Sequence, residues 1–512
     1  MMILKTSRSN LSSNDQLSLD LPFAATKSLT ARVGPTPTFT RGSGATYIGS
    51  DGLIHGIDTS TTSNSISAAS KTFTLAATAG QDQLWRAGDA VEASNGSNIM
   101  TGTVTSYNAT TQSLVCNMTT ASGSGTFTSW RIGYRGPRFD HDPTSPFACR
   151  GLLIEESRTN AFQHSSNFKD TTSSNYWSNQ TATTITVDQI ASPDGGVNAD
   201  LLSTSTSSFD CFTRRNNFWA GSTQYTYSIF VKRGPSNYRY VGLYIGAGAS
   251  ATQFPYFDFD NPTTVQIPTI TSGTINSTRV DAYPNGWYRV IITFTTAATP
   301  ITLFGGVYIS SSNGVIQEGN TAGNNCYIWG IQSELGSFAT SYIPTTTGTL
   351  ARSADVCNIT GGNFNNFYNQ SEGTLFADVS GLMTDVLGGN RGFALITDGT
   401  YANAFGILKS ANVGFIRAEG NTGNVAQFSL TNAYAPFTQY KVALGVRTND
   451  TNAAFNGSLK TTDTSVTLPS TMNRLEFRDA TGATGGQPSC HIAAIRYYKK
   501  RLPNAKLQAL TV

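Results

Sequence analysis

Charge is scarce in this chain. Charged residues make up 13% of its 512, about half of what a soluble domain usually carries, and Ser, Thr, Asn and 49 Gly occupy the surface positions instead. The net charge is only +3, from 34 Lys+Arg against 31 Asp+Glu. No basic run tracks a phosphate backbone, and the densest cluster, Lys499, Lys500 and Arg501, reads as the solvated end of a strand. Nucleic acid is therefore not expected as a partner. Long apolar runs are missing too. No stretch of membrane-spanning length occurs, and the start, MMILKTSRSNLSSNDQ, has no apolar core of signal-peptide length. The expectation is a chain made in a cytoplasm, with no membrane insertion.

Cysteine and histidine are equally sparse. Cys116, Cys149, Cys211, Cys326, Cys357 and Cys490 show no C-x-x-C or zinc-like spacing and read as mostly free, buried thiols. His55, His141, His164 and His491 offer few bases for a catalytic triad, and no G-x-S-x-G elbow sits between a strand and a helix. The glycine-rich pieces GGVNAD and ATGATGG lack the Lys-Ser/Thr partner or the following helix of a phosphate loop, and read as turns. No cofactor is expected.

What the sequence has is strand periodicity. TYSIFVKR (Thr226 to Arg233), RVIITFTT (Arg289 to Thr296) and YKVALGVRT (Tyr440 to Thr448) alternate or run apolar over a strand's length, then break at Gly, Asn or Pro. In YIWGIQSEL, Tyr327, Trp329 and Ile331 are expected on one face. The one helical signal is the tail, where Pro503 precedes Asn504 to Leu510, with Leu507 and Leu510 three apart. The fold class expected is all-β: a multidomain chain of β-sandwich or jelly-roll domains with a small inserted β-barrel-like module and little helix. Gly, Pro and Asn punctuation divides it into an extended arm at 1–58, an inserted β module at 59–132, a continuation of the arm at 133–160, a large β domain at 161–345, and a last β-sandwich at 346–512.

The densest charge lies in RFDHDPTSPFACRGLLIEESRTNAF, which holds Asp140, His141, Asp142, Glu155 and Glu156. A glycosidase needs two carboxylates about 5 to 9.5 Å apart, one with a raised pKa, and these acids supply candidates. The structural reading is preferred: GLLIEE as a buried strand ending in charge, DHDP as an Asp-rich turn before Pro143, and Arg138, Arg150 and Arg158 close enough to neutralise the acids. No catalytic residue is assigned. Nor is a metal site, because neighbouring strand residues face opposite sides and His141 cannot point with Asp140 or Asp142. Asn449, Asp450 and Asn452 carry oxygens of the kind calcium takes, but one carboxylate is a thin supply and a plain turn is preferred.

Sugar binding asks for flat aromatic faces with polar groups at their rim. Trp177 and Trp219, in the polar contexts NYWSNQ and NNFWAGS, join Tyr238 and Tyr240 as the ligand-binding candidates. Trp85 and Trp130 are further aromatics in the inserted module, and core burial is the alternative for each. Trp287 and Trp329, among apolar neighbours, are read as core.

The arm sequence SLDLPFAATKSLTARVGPTPTFTRGSGATYIGSDGLI, followed by PRFDHDP and GLLIEESRTN, resembles the N-terminal part of tailed-bacteriophage fibre and spike proteins, head-spike fibres included. MTGTVTSYN and GSGTFTSWRI resemble a small β-module found in phage adhesins. NGWYRV and YIWGIQSELGSFATSYIPT resemble jelly rolls related to carbohydrate-binding modules, and HIAAIRYYKKRLPNAKLQAL is similar to the closing strand and helical turn of concanavalin A-like or laminin G-like sandwiches. The resemblance implies a non-enzymatic protein of the virion surface, a tail fibre or spike. Its arm would anchor it to other virion proteins of capsid or tail, and its β-domains would meet host cell-surface polysaccharide. The resemblance also implies a homotrimer, which would suit the arm, whose isolated strands need partners for their backbone groups. A capsid spike or decoration protein is the alternative, and a polysaccharide depolymerase using Asp140, Asp142, Glu155 or Glu156 a third reading.

Overall fold

A computed structural model describes residues 16–76, 85–169, 177, 183–205, 212–217, 219–246, 254–267, 273–298, 303–310, 322–383, 390–411, 414–478 and 487–512. The first fifteen residues, Cys211 and the ATGATGG turn lie outside the described residues. Strands account for 54% of the structure and helix for 5%, so the chain is all-β and built from several sheets, as its periodicity predicts. The tail helix spans Asn504–Leu510 behind Pro503, with Leu507 buried. Two short helices had no signal in the sequence, Phe23–Thr26 and Gly361–Phe367. The second opens on Gly-Gly-Asn, which reads as a turn, and forms because Phe364 and Phe367 are pulled into the core.

Two sheets form the last sandwich, and the N-terminal arm is woven into both. One sheet runs Arg138–His141, Cys149–Ile154, Cys490–Tyr498, Glu372–Gly381, Gln439–Arg447, Asn452–Phe455, Ser458–Leu459, with Leu17–Leu21 also paired to Cys490–Tyr498. The facing sheet runs Thr38–Thr40, Val356–Thr360, Arg474–Glu476, Arg391–Thr397, Ala404–Lys409, Phe415–Thr422, Val425–Ala433. Register follows the buried faces. Leu19 and Leu21 pair with Tyr497 and Ile495, Leu152 with Ile492, and these side chains share one core with Leu375, Val442 and Phe393.

The inserted module is a six-stranded sheet in the order Ile57–Ser60, Trp130–Tyr134, Ala90–Asn95, Asn98–Asn108, Ser113–Ser122, Ser70–Thr74. A bridge from Ser60 to Leu75 joins its first and last strands and closes a small barrel. Trp85 and Trp130 fill that barrel's core, and their indole N–H groups donate to Asp58 Oδ2 (2.8 Å) and the Thr62 carbonyl (2.9 Å). A buried Trp needs such a partner.

The central sandwich packs a six-stranded sheet (Thr183–Ala191, Val197–Thr204, Asn325–Leu335, Gln224–Arg233, Trp287–Thr296, Gly273–Tyr283) on a five-stranded one (Phe212–Asn217, Leu303–Ile309, Tyr240–Gly246, Tyr256–Asp258, Val265–Gln266). The six-stranded sheet is covered on both faces. Tyr227, Ile229 and Val231 enter the core between the sheets, while Phe230, Trp287 and Trp329 pack outward against Tyr342 and Ile54 of the arm. Double burial explains why its strands read as nearly unbroken apolar runs. The expected common face of Tyr327, Trp329 and Ile331 is corrected here. Gly330 adopts φ +63 beside a register shift opposite Ser228 and Phe230, a bulge that re-aims the strand, so Ile331 joins Ile328 in the inner core while Trp329 stays outside.

Candidate functional site

The charged stretch folds into a buried lattice of ion pairs. Arg138, wholly buried, donates Nη1 to Glu155 Oε2 (2.7 Å) and Nη2 to Asp355 Oδ2 (2.6 Å). Arg41 Nη1 reaches Asp355 Oδ1 at 2.9 Å, and Arg352 Nη1 stands 3.4 Å from Glu155. Ser341 adds its backbone N–H and its hydroxyl to Glu155, both at 2.8 Å. Burial alone would raise the Glu155 pKa, but the Arg352 and Arg138 charges and the Ser341 bonds outweigh it and hold this carboxyl well below its usual range. Glu155 is thus a permanent anion at neutral pH and not a proton donor.

Its neighbours are also engaged. Asp140 accepts from the Ile48 N–H (2.6 Å) and pairs with His491 Nε2 (2.7 Å). Asp142 pairs with Arg150 at 2.8 Å, and Glu156 with Arg158 at 2.5 Å. His141 turns to the Ile48 carbonyl at 3.2 Å. In the 449–452 loop, both Asp450 oxygens face guanidinium groups, Arg447 at 2.6 Å and Arg501 at 3.0 Å. Asn449 and Asn452 Oδ1 accept from Val466 and Ala453 N–H, so the oxygens considered for calcium are turned to protein donors.

Two of the four aromatic candidates are corrected. Trp177 is 2% exposed, lying parallel to Phe162 at 5.8 Å and against Phe168 at 4.7 Å, with its N–H on the His164 carbonyl. Trp219 is 4% exposed, set edge-on to Phe294 at 4.8 Å, with its N–H on Ser333 Oγ. Both indoles belong to the core of the central sandwich, where no sugar reaches their faces. Their polar sequence neighbours concealed this because burial of a Trp is decided by partners distant in sequence.

Tyr238 and Tyr240 are instead half-buried: Tyr238, just ahead of the strand Tyr240–Gly246, packs on the edge of the central core, while Tyr240 lies on the outer face of the five-stranded sheet. Val241, Leu243 and Ile245 point into the core, so alternation turns Tyr240, Gly242 and Tyr244 outward. The adjacent strand turns Phe257 inward and Tyr256 outward. Tyr240 meets Tyr238 and Tyr256 edge-on at 6.2 and 5.9 Å, and Tyr238 Oη donates to the Ser310 carbonyl. Arg239 stands 5.1 Å from the Tyr240 ring centre and grips Asp258 with two bonds of 2.6 Å. That grip holds the Asp258 carboxyl below its ordinary range. Asp260, exposed, pairs with Arg233 and sits 3.2 Å from Arg239. Deeper in the same layer, Tyr308 lies on Gly242, where a Cβ would fall 1.9 Å from its ring, and Tyr244 packs on Phe254 at 4.4 Å. Tyr256 was not singled out in the sequence, though its i+2 alternation with Asp258 was available as a signal.

A cleft of about 840 Å³ opens between the central and last sandwiches. Asp142 and Arg150 of the charged stretch, Arg279 and Asp281 of the central sandwich, and Asp378 and Gln439 of the last one line it. Arg279 spans the gap, 3.9 Å from the centre of the Phe437 ring.

No protein-family model matches the chain, and no curated protein matches it. Among solved structures, a Ruminococcus gnavus IT-sialidase CBM40 bound to α2,3-sialyllactose is 17% identical over 28% of this chain and 83% of its own, with a TM-score of 0.24. A Trypanosoma rangeli sialidase is 12% identical over 81% of this chain and 66% of its own, TM-score 0.23. The same organism's sialidase in complex with the inhibitor DANA is 13% identical over 96% of both chains, TM-score 0.23. Against the expectation of a non-enzymatic chain, the solved structures matched over most of its length are sialidases. Likeness at this level assigns no activity of its own.

Proposed function

We propose that this chain recognises glycans at a host cell surface as part of a bacteriophage virion, in a tail fibre or spike, and that the outer face of the five-stranded sheet is its contact. The carrying observation is Tyr240 and Tyr256, half-exposed side by side on one sheet face with Tyr238 edge-on to Tyr240 and the Arg239–Asp258 pair and Asp260 at their rim. A pyranose offers an apolar face to an aromatic ring and hydroxyls to charged groups beside it. The phage setting is supported by the resemblance of the arm motifs, which also favours the second reading, a spike on the capsid. Homotrimeric assembly belongs to the same proposal.

The test is binding of purified protein to host envelope polysaccharide, with Tyr240→Ala and Tyr256→Ala compared against the natural chain. Each substitution is expected to weaken binding about tenfold, or about 1.4 kcal/mol, with thermal unfolding unchanged. Undiminished binding by both would remove the tyrosine face from the proposal. Antibody labelling of virions in negative stain tests the setting, and unlabelled particles would refute it.

A further inference from the structure

We propose that the cleft between the central and last sandwiches is a second saccharide site, built for a short, neutral, hydroxyl-rich sugar and separate from the tyrosine face. Its volume, about 840 Å³, falls within the range of small-molecule sites. One wall carries Phe437, 41% exposed and held at φ +60 by a bond from its N–H to the Gly381 carbonyl. A bulky residue in left-handed backbone is uncommon, and such conformations gather at ligand clamps. Arg279 braces that ring at 3.9 Å.

The cleft's lining brings together donors and acceptors of the kind that sugar hydroxyls bond to. Asp378 accepts from Gln439 Nε2 at 2.7 Å through one carboxylate oxygen. Arg279 and Asp281 pair at 2.8 Å, and Arg150 and Asp142 at 2.8 Å. The two Arg–Asp pairs are internally neutral and Asp378, held by the uncharged Gln439, adds a carboxylate, so the cleft presents hydrogen-bonding groups without a field that would draw an anion. A neutral sugar fits this better than an acidic one. Burial raises the Asp378 pKa, the direction expected of a carboxylate shielded from water. With one site on the central sandwich and another at its junction with the last, a single polysaccharide strand could engage both, gaining avidity without new contacts.

The experiment is saturation-transfer NMR on the full chain with maltose, cellobiose and lactose as probes, repeated on Phe437→Ala, Phe437→Leu, Asp378→Asn and Tyr240→Ala. Transfer to at least one disaccharide is expected, weakened about tenfold by Phe437→Ala and Asp378→Asn. Phe437→Leu and Asp378→Asn keep size and packing, and thermal unfolding verifies that each variant is folded. Transfer to none of the probes, or undiminished transfer in Phe437→Ala and Asp378→Asn, makes the cleft a packing gap only and overturns the proposal. Loss in Tyr240→Ala alone would move binding to the tyrosine face and also overturn it, leaving the glycan reading intact. Failure of that reading shows separately, as undiminished polysaccharide binding by the tyrosine variants.

Discussion

Glu155 shows how a single residue can read as catalytic and be structural. Its carboxylate meets Arg138, Arg352 and Ser341 in a wholly buried setting. Glu155→Gln leaves the guanidinium groups short of a counter-charge, and breaking a buried pair in this way costs about 3–5 kcal/mol, to be read as a lower urea midpoint. The linkage has a definite sign. A carboxyl whose folded pKa is depressed stabilises above its unfolded value, 4.5, and loses that contribution as pH falls toward the folded value. Stability of the natural chain should therefore fall on acidification below about pH 4.5 more steeply than that of Glu155→Gln, and parallel curves would contradict the assignment. Sequence did disclose the pairing type, because Arg138 and Arg158 flank the acids. It did not disclose Asp355 or Ser341, about two hundred residues away, since nothing local marks a partner at that separation.

In the inserted barrel an element's stability is tied to one acid. Asp58, on the strand Ile57–Ser60, is pushed up from 3.8 to about 6, chiefly by burial, although the Trp85 N–H bonds to it. A raised carboxyl works in the opposite sense to Glu155: its burial is tolerated below 3.8 and destabilises progressively as pH rises through about 6. Asp58→Asn keeps an acceptor for Trp85 and removes the charge. It should flatten the melting temperature over that interval and leave the barrel no less stable at neutral pH, and a variant that melts earlier there would refute the argument. The five-stranded sheet holds a steric counterpart. Gly242→Ala would place a methyl group in the Tyr308 ring, and overpacking of this kind costs about 1–3 kcal/mol, measurable by denaturant unfolding. Strand existence was legible where apolar runs such as Thr226 to Arg233 and Arg289 to Thr296 stand in the sequence, because alternation is local. The bulge at Gly330 and the burial of Trp177 and Trp219 were not, since each depends on what the opposing strand or sheet supplies.

At the scale of the molecule, the arm decides what the rest can do alone. Besides the resemblance, arm strands without partners spoke for a trimer, but Leu17–Leu21, Thr38–Thr40, Arg138–His141 and Cys149–Ile154 all find theirs within the same chain. Self-association is therefore not needed to satisfy those backbone groups, and sedimentation equilibrium has to decide assembly on other contacts. Punctuation in the sequence could separate the segments, yet it carried no sign that the first and last are layers of one sandwich, because strand pairing across more than four hundred residues leaves no local trace. The consequence is testable by dissection. Residues 346–512 expressed alone would lack Leu19, Leu21, Phe23, Leu152 and Ile154 from their core and expose the edge of Cys490–Tyr498 that Leu17–Leu21 and Cys149–Ile154 cover between them. Removing one buried Leu costs about 2–5 kcal/mol, and a domain holds only about 5–15 kcal/mol in total, so losing five such side chains exceeds the reserve. The fragment should be insoluble or lack dispersed amide NMR signals, and co-expression with residues 16–160 should restore both solubility and dispersion. A well-dispersed spectrum from 346–512 by itself would mean that the arm only decorates the sandwich, and that its strands remain free for another partner.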